Sequence, residues 1–178
     1  MSPDLKLNLK KRLNKASCVV LVGVGSELRG DDGAGLLVAQ KLKVKSKKLK
    51  VLIGGTAPEN LTGEIKRLKP SHLIIVDSAD FQAAPGAVEV LGYDKIGGHS
   101  FSTHSAPLKM MIDYLLADIS FEPIVIGIQP RSLEFGAAVS EEVKAAVDEV
   151  VETLSSITDG DKPRPYMFGL PGGESALC

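Results

Sequence analysis

Apolar residues recur along this chain in two alternating rhythms. Short apolar runs at Cys18 to Val22, Lys50 to Ile53, His72 to Val76, Ala87 to Leu91 and Pro123 to Ile128 read as strands. The third is almost wholly apolar and rich in β-branched residues, as expected of a central strand buried on both faces. Between the runs the spacing changes to that of helices: Ala34, Leu37, Val38 and Leu42 share one face, and so do Leu61, Ile65 and Leu68 after Pro58. Leu108, Met111, Ile112, Leu115 and Leu116 form a third stripe. A last helix is predicted from Ser140, with Glu141 and Glu142 in its first turn and Val143, Val147, Val150 and Leu154 facing inward. This alternation predicts a three-layer α/β/α sandwich with a mostly parallel twisted sheet of about five strands.

Two segments flank that pattern. Residues 1–16 form a basic amphipathic helix, with Leu5, Leu9 and Leu13 on one side and Lys6, Lys10, Lys11, Arg12 and Lys15 over much of the rest. Docking on the domain is favoured over lying on a membrane surface. Residues 17–158 hold the α/β domain, and residues 159–178 are a proline- and glycine-rich tail to which no fold is assigned. The lysine-rich stretch Lys41 to Lys50 reads as a solvated helix end, where cations complement the dipole.

Composition narrows the function. A length of 178 residues with 44% hydrophobic content suits one core, and a net charge of −1 argues against a nucleic-acid platform. No run is long enough to cross a bilayer and no secretory signal pattern opens the chain, so a cytoplasmic monomer is expected. Cys18 and Cys178 imply neither a disulfide framework nor a thiolate zinc site.

Candidate chemistry concentrates in Gly23 to Gly35, GVGSELRGDDGAG, a glycine-lined turn between the first strand and the helix that follows. Asp31 or Asp32 can cap that helix. Two adjacent carboxylates repel each other and are not both needed as a cap, which favours Asp32 as the functional one. A dinucleotide fingerprint needs a third glycine where Leu28 stands, and acidic residues at a helix entrance repel a pyrophosphate. The turn suits a cation better. In open α/β sheets ligands bind at the carboxyl ends of strands, where the third strand delivers Asp77. With His104 from the long loop before Pro107, Asp32 and Asp77 would make a three-ligand site for a divalent transition metal with open positions. The plainer alternatives are a loop-tying hydrogen bond for Asp77, a packed or exposed imidazole for His104, and a solvated or capping role for Asp80. His72 and His99 are assigned no chemical role.

At this point the chain resembles a known family, the endopeptidases that mature nickel–iron hydrogenases, in the branch serving formate-hydrogenlyase-type enzymes. The matching motifs are GDDGAG at Gly30 to Gly35, GGTAPEN at Gly54 to Asn60, LIIVDSAD at Leu73 to Asp80, PG at Pro85–Gly86, STHSAPL at Ser102 to Leu108 and GIQP at Gly127 to Pro130. They occur in the family's order over roughly Val19 to Leu154, outside the basic helix and the tail. The resemblance implies a cytoplasmic, carboxylate-dependent peptidase of the aspartic type that removes a short C-terminal peptide from the nickel-loaded hydrogenase large-subunit precursor. It places the family's metal-contacting acidic residues on Asp32 and Asp77 and its histidine on His104, with Asp32 and Asp77 also serving catalysis. Nickel is then expected to arrive with the precursor. Two departures stand out: Ser26 replaces an asparagine, and Ile53 replaces an aspartate linked in the family to substrate discrimination. The competing readings are a non-catalytic, nickel-dependent assembly chaperone for the same precursor and, more weakly, a nucleotide-binding domain.

Overall fold

The computed structural model describes residues 3–45, 49–93 and 105–158. The elements run α1 (Pro3–Leu13), β1 (Val19–Val24), α2 (Ala34–Lys45), β2 (Lys50–Gly55), α3 (Thr62–Leu68), β3 (His72–Ser78), β4 (Val88–Leu91), α4 (Ser105–Asp118), β5 (Glu122–Ile128) and α5 (Glu141–Thr158). Short 3-10 turns, Gly30–Gly33 and Pro58–Leu61, lead into α2 and α3. The five strands form one sheet in the order β2-β1-β3-β5-β4. All pairs are parallel except β4 with β5. The predicted sandwich is therefore present, with one antiparallel edge.

The period-two alternation of a strand divides the apolar side chains into two cores. Leu21, Ile74, Val76 and Ile126 face a layer made by α1, α2 and α5. Val22, Leu73, Ile75 and Val125 face the opposite layer, with Ile65 of α3 and Leu108, Ile112 and Leu115 of α4. β3 is buried at every position, as its unbroken apolar run predicts.

Helix α1 lies against the domain. Its stripe residues Leu5, Leu9 and Leu13 are buried, and Arg12 donates to Glu122 Oε1 at 2.6 Å and to the Pro123 carbonyl at 3.0 Å. Among the described residues, no helix is long and apolar enough to cross a membrane.

Three details differ from the sequence reading. Cys18 precedes β1 and is only half-buried, its amide accepted by the Ser71 hydroxyl at 3.1 Å. Leu116 is exposed, because Leu115 beside it takes the inward position and a helix turns about 100° per residue. Neither Asp31 nor Asp32 supplies a side-chain cap to the turn that opens α2. The loop holding His99 and His104 and the tail 159–178 lie outside the described residues.

Candidate active site

Strand order fixes where a ligand can sit. The chain leaves β1 through α2 towards β2, whereas the strands after β3 lie on the other side of the sheet. The carboxyl ends of β1 and β3 therefore flank the topological switch point, the crevice where open α/β sheets bind ligands. Asp32 follows β1 and Asp77 lies at the end of β3.

A close approach of backbone to backbone brings the Asp32 turn over this edge. A Cβ on Gly35 would stand 2.1 Å from the Val76 carbonyl oxygen and 2.3 Å from that of Val24. Only glycine lets α2 begin directly on β1 and β3. Gly25 has the same function one turn earlier: its φ is +126°, and a Cβ there would lie 1.8 Å from the Asp32 carbonyl oxygen. The glycines of GVGSELRGDDGAG thus set the distance between the acidic turn and the sheet.

The two adjacent aspartates have separate tasks. Asp31, 1% exposed, has its carboxylate enclosed by donors from the loop after β5. Its Oδ2 accepts from Arg131 N at 2.8 Å, Ser132 N at 3.1 Å and Ser140 Oγ at 3.0 Å, and its Oδ1 from Ser140 N at 2.7 Å. Asp31 is a clamp between the β1–α2 turn and the entrance to α5. Asp32, 3% exposed, instead accepts a hydrogen bond at its Oδ1 from the Ser78 hydroxyl at 3.1 Å.

Ser78 and Asp77 are consecutive and fully buried, and the pleat sends them to opposite faces. Ser78 continues the Ile74–Val76 row towards α2, while Asp77 continues the Leu73–Ile75 row towards the layer of α3 and α4. Asp32 and Asp77 therefore share one strand end and approach it from either side of the sheet. His104, the third expected ligand, is outside the described residues, and among those residues no group of three histidine, cysteine or acidic side chains is arranged to hold a metal ion.

The loop after Asp77 is held by a residue that the sequence reading passed over. Gln129 uses its side-chain oxygen to accept from Phe81 N at 2.9 Å and Ala83 N at 3.2 Å. Its amide nitrogen donates to Asp80 Oδ1 at 3.1 Å and to the Pro130 carbonyl at 3.3 Å. Asp80 also accepts from Gln82 N at 3.0 Å, and these bonds, that of Gln82 first, hold its carboxyl below the usual range. Asp80 thus ties a loop. A polar residue ending an apolar strand was the available signal for Gln129, as it was for Asp77. His72 lies at the other end of β3, 3.3 Å from Glu122 Oε2 through its Nε2 and 2.9 Å from Ser71 Oγ through its Nδ1.

Comparison with known proteins places this chain in a family. The family model described as HycI, hydrogenase maturation protease, matches residues 36–157. The hydrogenase 3 maturation protease of Escherichia coli is 40% identical over 137 residues, covering 76% of this chain and 87% of that protein. The crystal structure of the nickel–iron hydrogenase maturation protease HycI from Thermococcus kodakarensis superposes with a TM-score of 0.79 at 28% identity, over 86% of this chain and 99% of that one. The solution structure of the endopeptidase HycI from Escherichia coli gives 0.72 at 38% identity, over 78% and 90%. The chain carrying this carboxylate crevice belongs to the hydrogenase maturation protease family.

Proposed function

We propose that this protein is the endopeptidase that removes a short C-terminal peptide from a nickel-loaded hydrogenase large-subunit precursor, in the cytoplasm, with Asp32 and Asp77 as its working carboxylates. The observation that carries the site assignment is the burial of an aspartate beside each of the two strand ends that flank the switch point of the sheet, with Asp32 held by the Ser78 hydroxyl. Membership of the family supports the peptidase activity.

Peptide hydrolysis needs an activated water and stabilisation of the oxyanion that forms. An aspartate takes the water proton as general base. The Ser78 hydroxyl donates to Oδ1 of Asp32 and so fixes the plane of that carboxylate before substrate arrives, which removes a reorganisation step from the reaction. Nickel belongs to the substrate in this reading. It is recognised through Asp32, Asp77 and His104, so that only a precursor already carrying metal is cut.

The test is to incubate the purified protein with nickel-loaded and nickel-free precursor and to weigh the large subunit before and after. Loss of a short C-terminal peptide only from the loaded form is expected. Asp32→Asn, Asp77→Asn and His104→Ala should each abolish it in folded protein, whereas His99→Ala should process normally. Stable binding of the loaded precursor without any loss of mass would identify an assembly chaperone instead.

A further inference from the structure

We propose that Cys18 and Cys178 form a disulfide that clasps the C-terminal end of the chain to the amino end of the sheet, and that this clasp closes in oxidising surroundings. The sulfur of Cys18 is held in a disulfide, and among the described residues no cysteine is free. The chain has two cysteines, so within one molecule the partner of Cys18 is Cys178. The clasp lies away from Asp32 and Asp77 and does not depend on their role.

Cys18 is a fixed anchor. Its carbonyl accepts from Ser71 N at 2.9 Å, Ser71 Oγ at 2.9 Å and His72 N at 3.1 Å, and its amide donates to Ser71 Oγ at 3.1 Å. It stands one residue before β1, at the end of the sheet opposite the crevice, and it is half-buried.

The course of α5 brings the chain back to that anchor. This helix starts beside the crevice, where Ser140 N donates to Asp31, and runs alongside α2, with Asp148 paired to Lys41 at 2.6 Å. In turn α2 leads away from the crevice to β2, whose first residue, Lys50, pairs with Val20 near the start of β1. Thr158 therefore ends α5 at the Cys18 end of the sheet. From there residues 159–178 can reach about 65 Å when extended, more than twice the roughly 27 Å length of α5 itself.

Closure is thiol–disulfide exchange with a small-molecule disulfide such as glutathione disulfide. One cysteine thiolate attacks it, joins one half and expels the other as a thiolate; the second cysteine thiolate attacks the protein sulfur of that mixed disulfide and expels the remaining half. Two electrons pass from the cysteines to the small molecule, and the two cysteine protons end on its two thiols. Reducing surroundings drive the exchange backwards, so the bond follows the redox state of the compartment. In the folded protein the bond closes only the stretch from Thr158 to Cys178, whereas in the unfolded chain it closes a ring of about 160 residues. That difference of about eightfold in loop length favours the folded state.

The test equilibrates the full-length chain with glutathione disulfide, blocks free thiols with a maleimide and analyses a tryptic digest by mass spectrometry. The expected product is a cross-linked pair, residues 16–29 joined to the C-terminal peptide, which reductant splits. Oxidised wild type should melt about 4–7 °C above reduced wild type, whereas the melting temperatures of Cys18→Ser and Cys178→Ser should not change with reductant. Two maleimide-labelled thiols in the oxidised sample would overturn the proposal, and so would a link between two copies, seen as a reductant-sensitive dimer. A bond between Cys18 and Cys178 with no shift in melting temperature would overturn the clasp.

Discussion

Replacing each of the two adjacent aspartates by asparagine should separate stability from chemistry. At Asp31 the amide retains one acceptor oxygen, best placed at the Oδ2 position where Arg131 N, Ser132 N and Ser140 Oγ converge. Its NH2 group then faces Ser140 N, so that bond is lost and a buried donor is left without an acceptor. An orphaned donor costs about 1–3 kcal/mol and a lost bond to a charged acceptor about 1.5–3. These overlap, and the net destabilisation should be about 2–4 kcal/mol, or about 4–16 °C in melting temperature for a chain of this size. At Asp32 the amide oxygen still accepts from Ser78, and a buried negative charge disappears, so the cost should stay below about 1 kcal/mol. Calorimetry and precursor processing on the same two samples give the answer. The reasoning is refuted if Asp31→Asn melts with wild type, or if Asp32→Asn melts as far below wild type as Asp31→Asn is expected to.

Three further outcomes follow from single contacts. Gly35→Ala forces a Cβ against two strand carbonyls, so α2 must lift from the sheet; we expect a loss of about 1–3 kcal/mol in urea unfolding together with slower processing, because Asp32 moves with it. Asp80 has a lowered pKa in the folded state, so its contribution to stability is present above the ordinary carboxylate value of about 3.9 and disappears as pH falls through the folded value. The stability gap between wild type and Asp80→Ala should therefore be widest at neutral pH and shrink in acid, and a gap that grows in acid would contradict the assignment. Leu9→Ala should cost about 2–5 kcal/mol by chemical denaturation, since this side chain is fully buried between α1 and the domain, and the protein should not bind anionic vesicles.

Much of the fold was legible because burial here follows simple periods. The β-branched run at His72 became the central strand, and Leu9, Val38, Ile112 and Val147, one from each of four helix stripes, reached zero exposure. Leu116 misled because apolar character alone does not distinguish the inner edge of a helix stripe from its outer edge. Asp32 and Asp77 were legible as candidates because strand ends and glycine turns are local signals. The clamp on Asp31 was not, since its partners Arg131, Ser132 and Ser140 lie a hundred or more positions away in the chain. Only the sheet order, which brings the loops after β1 and β5 to the same edge, makes that contact readable.

The position of Ser78 supports placing the proposed site at β3. A strand covered on both faces can direct consecutive side chains into two different layers, and at its carboxyl end those layers open onto one crevice. Asp77 uses one direction, while Ser78 uses the other to hold Asp32, which β3 itself cannot supply. An edge strand would leave such a residue in water, where a single hydroxyl bond contributes little to fixing a carboxylate. Burial at Ser78 and Asp32 makes the same bond decisive for orientation. The apolar character of β3 and the acidity at its end are thus parts of one arrangement: in the proposed site, the first fixes the geometry in which the second would act.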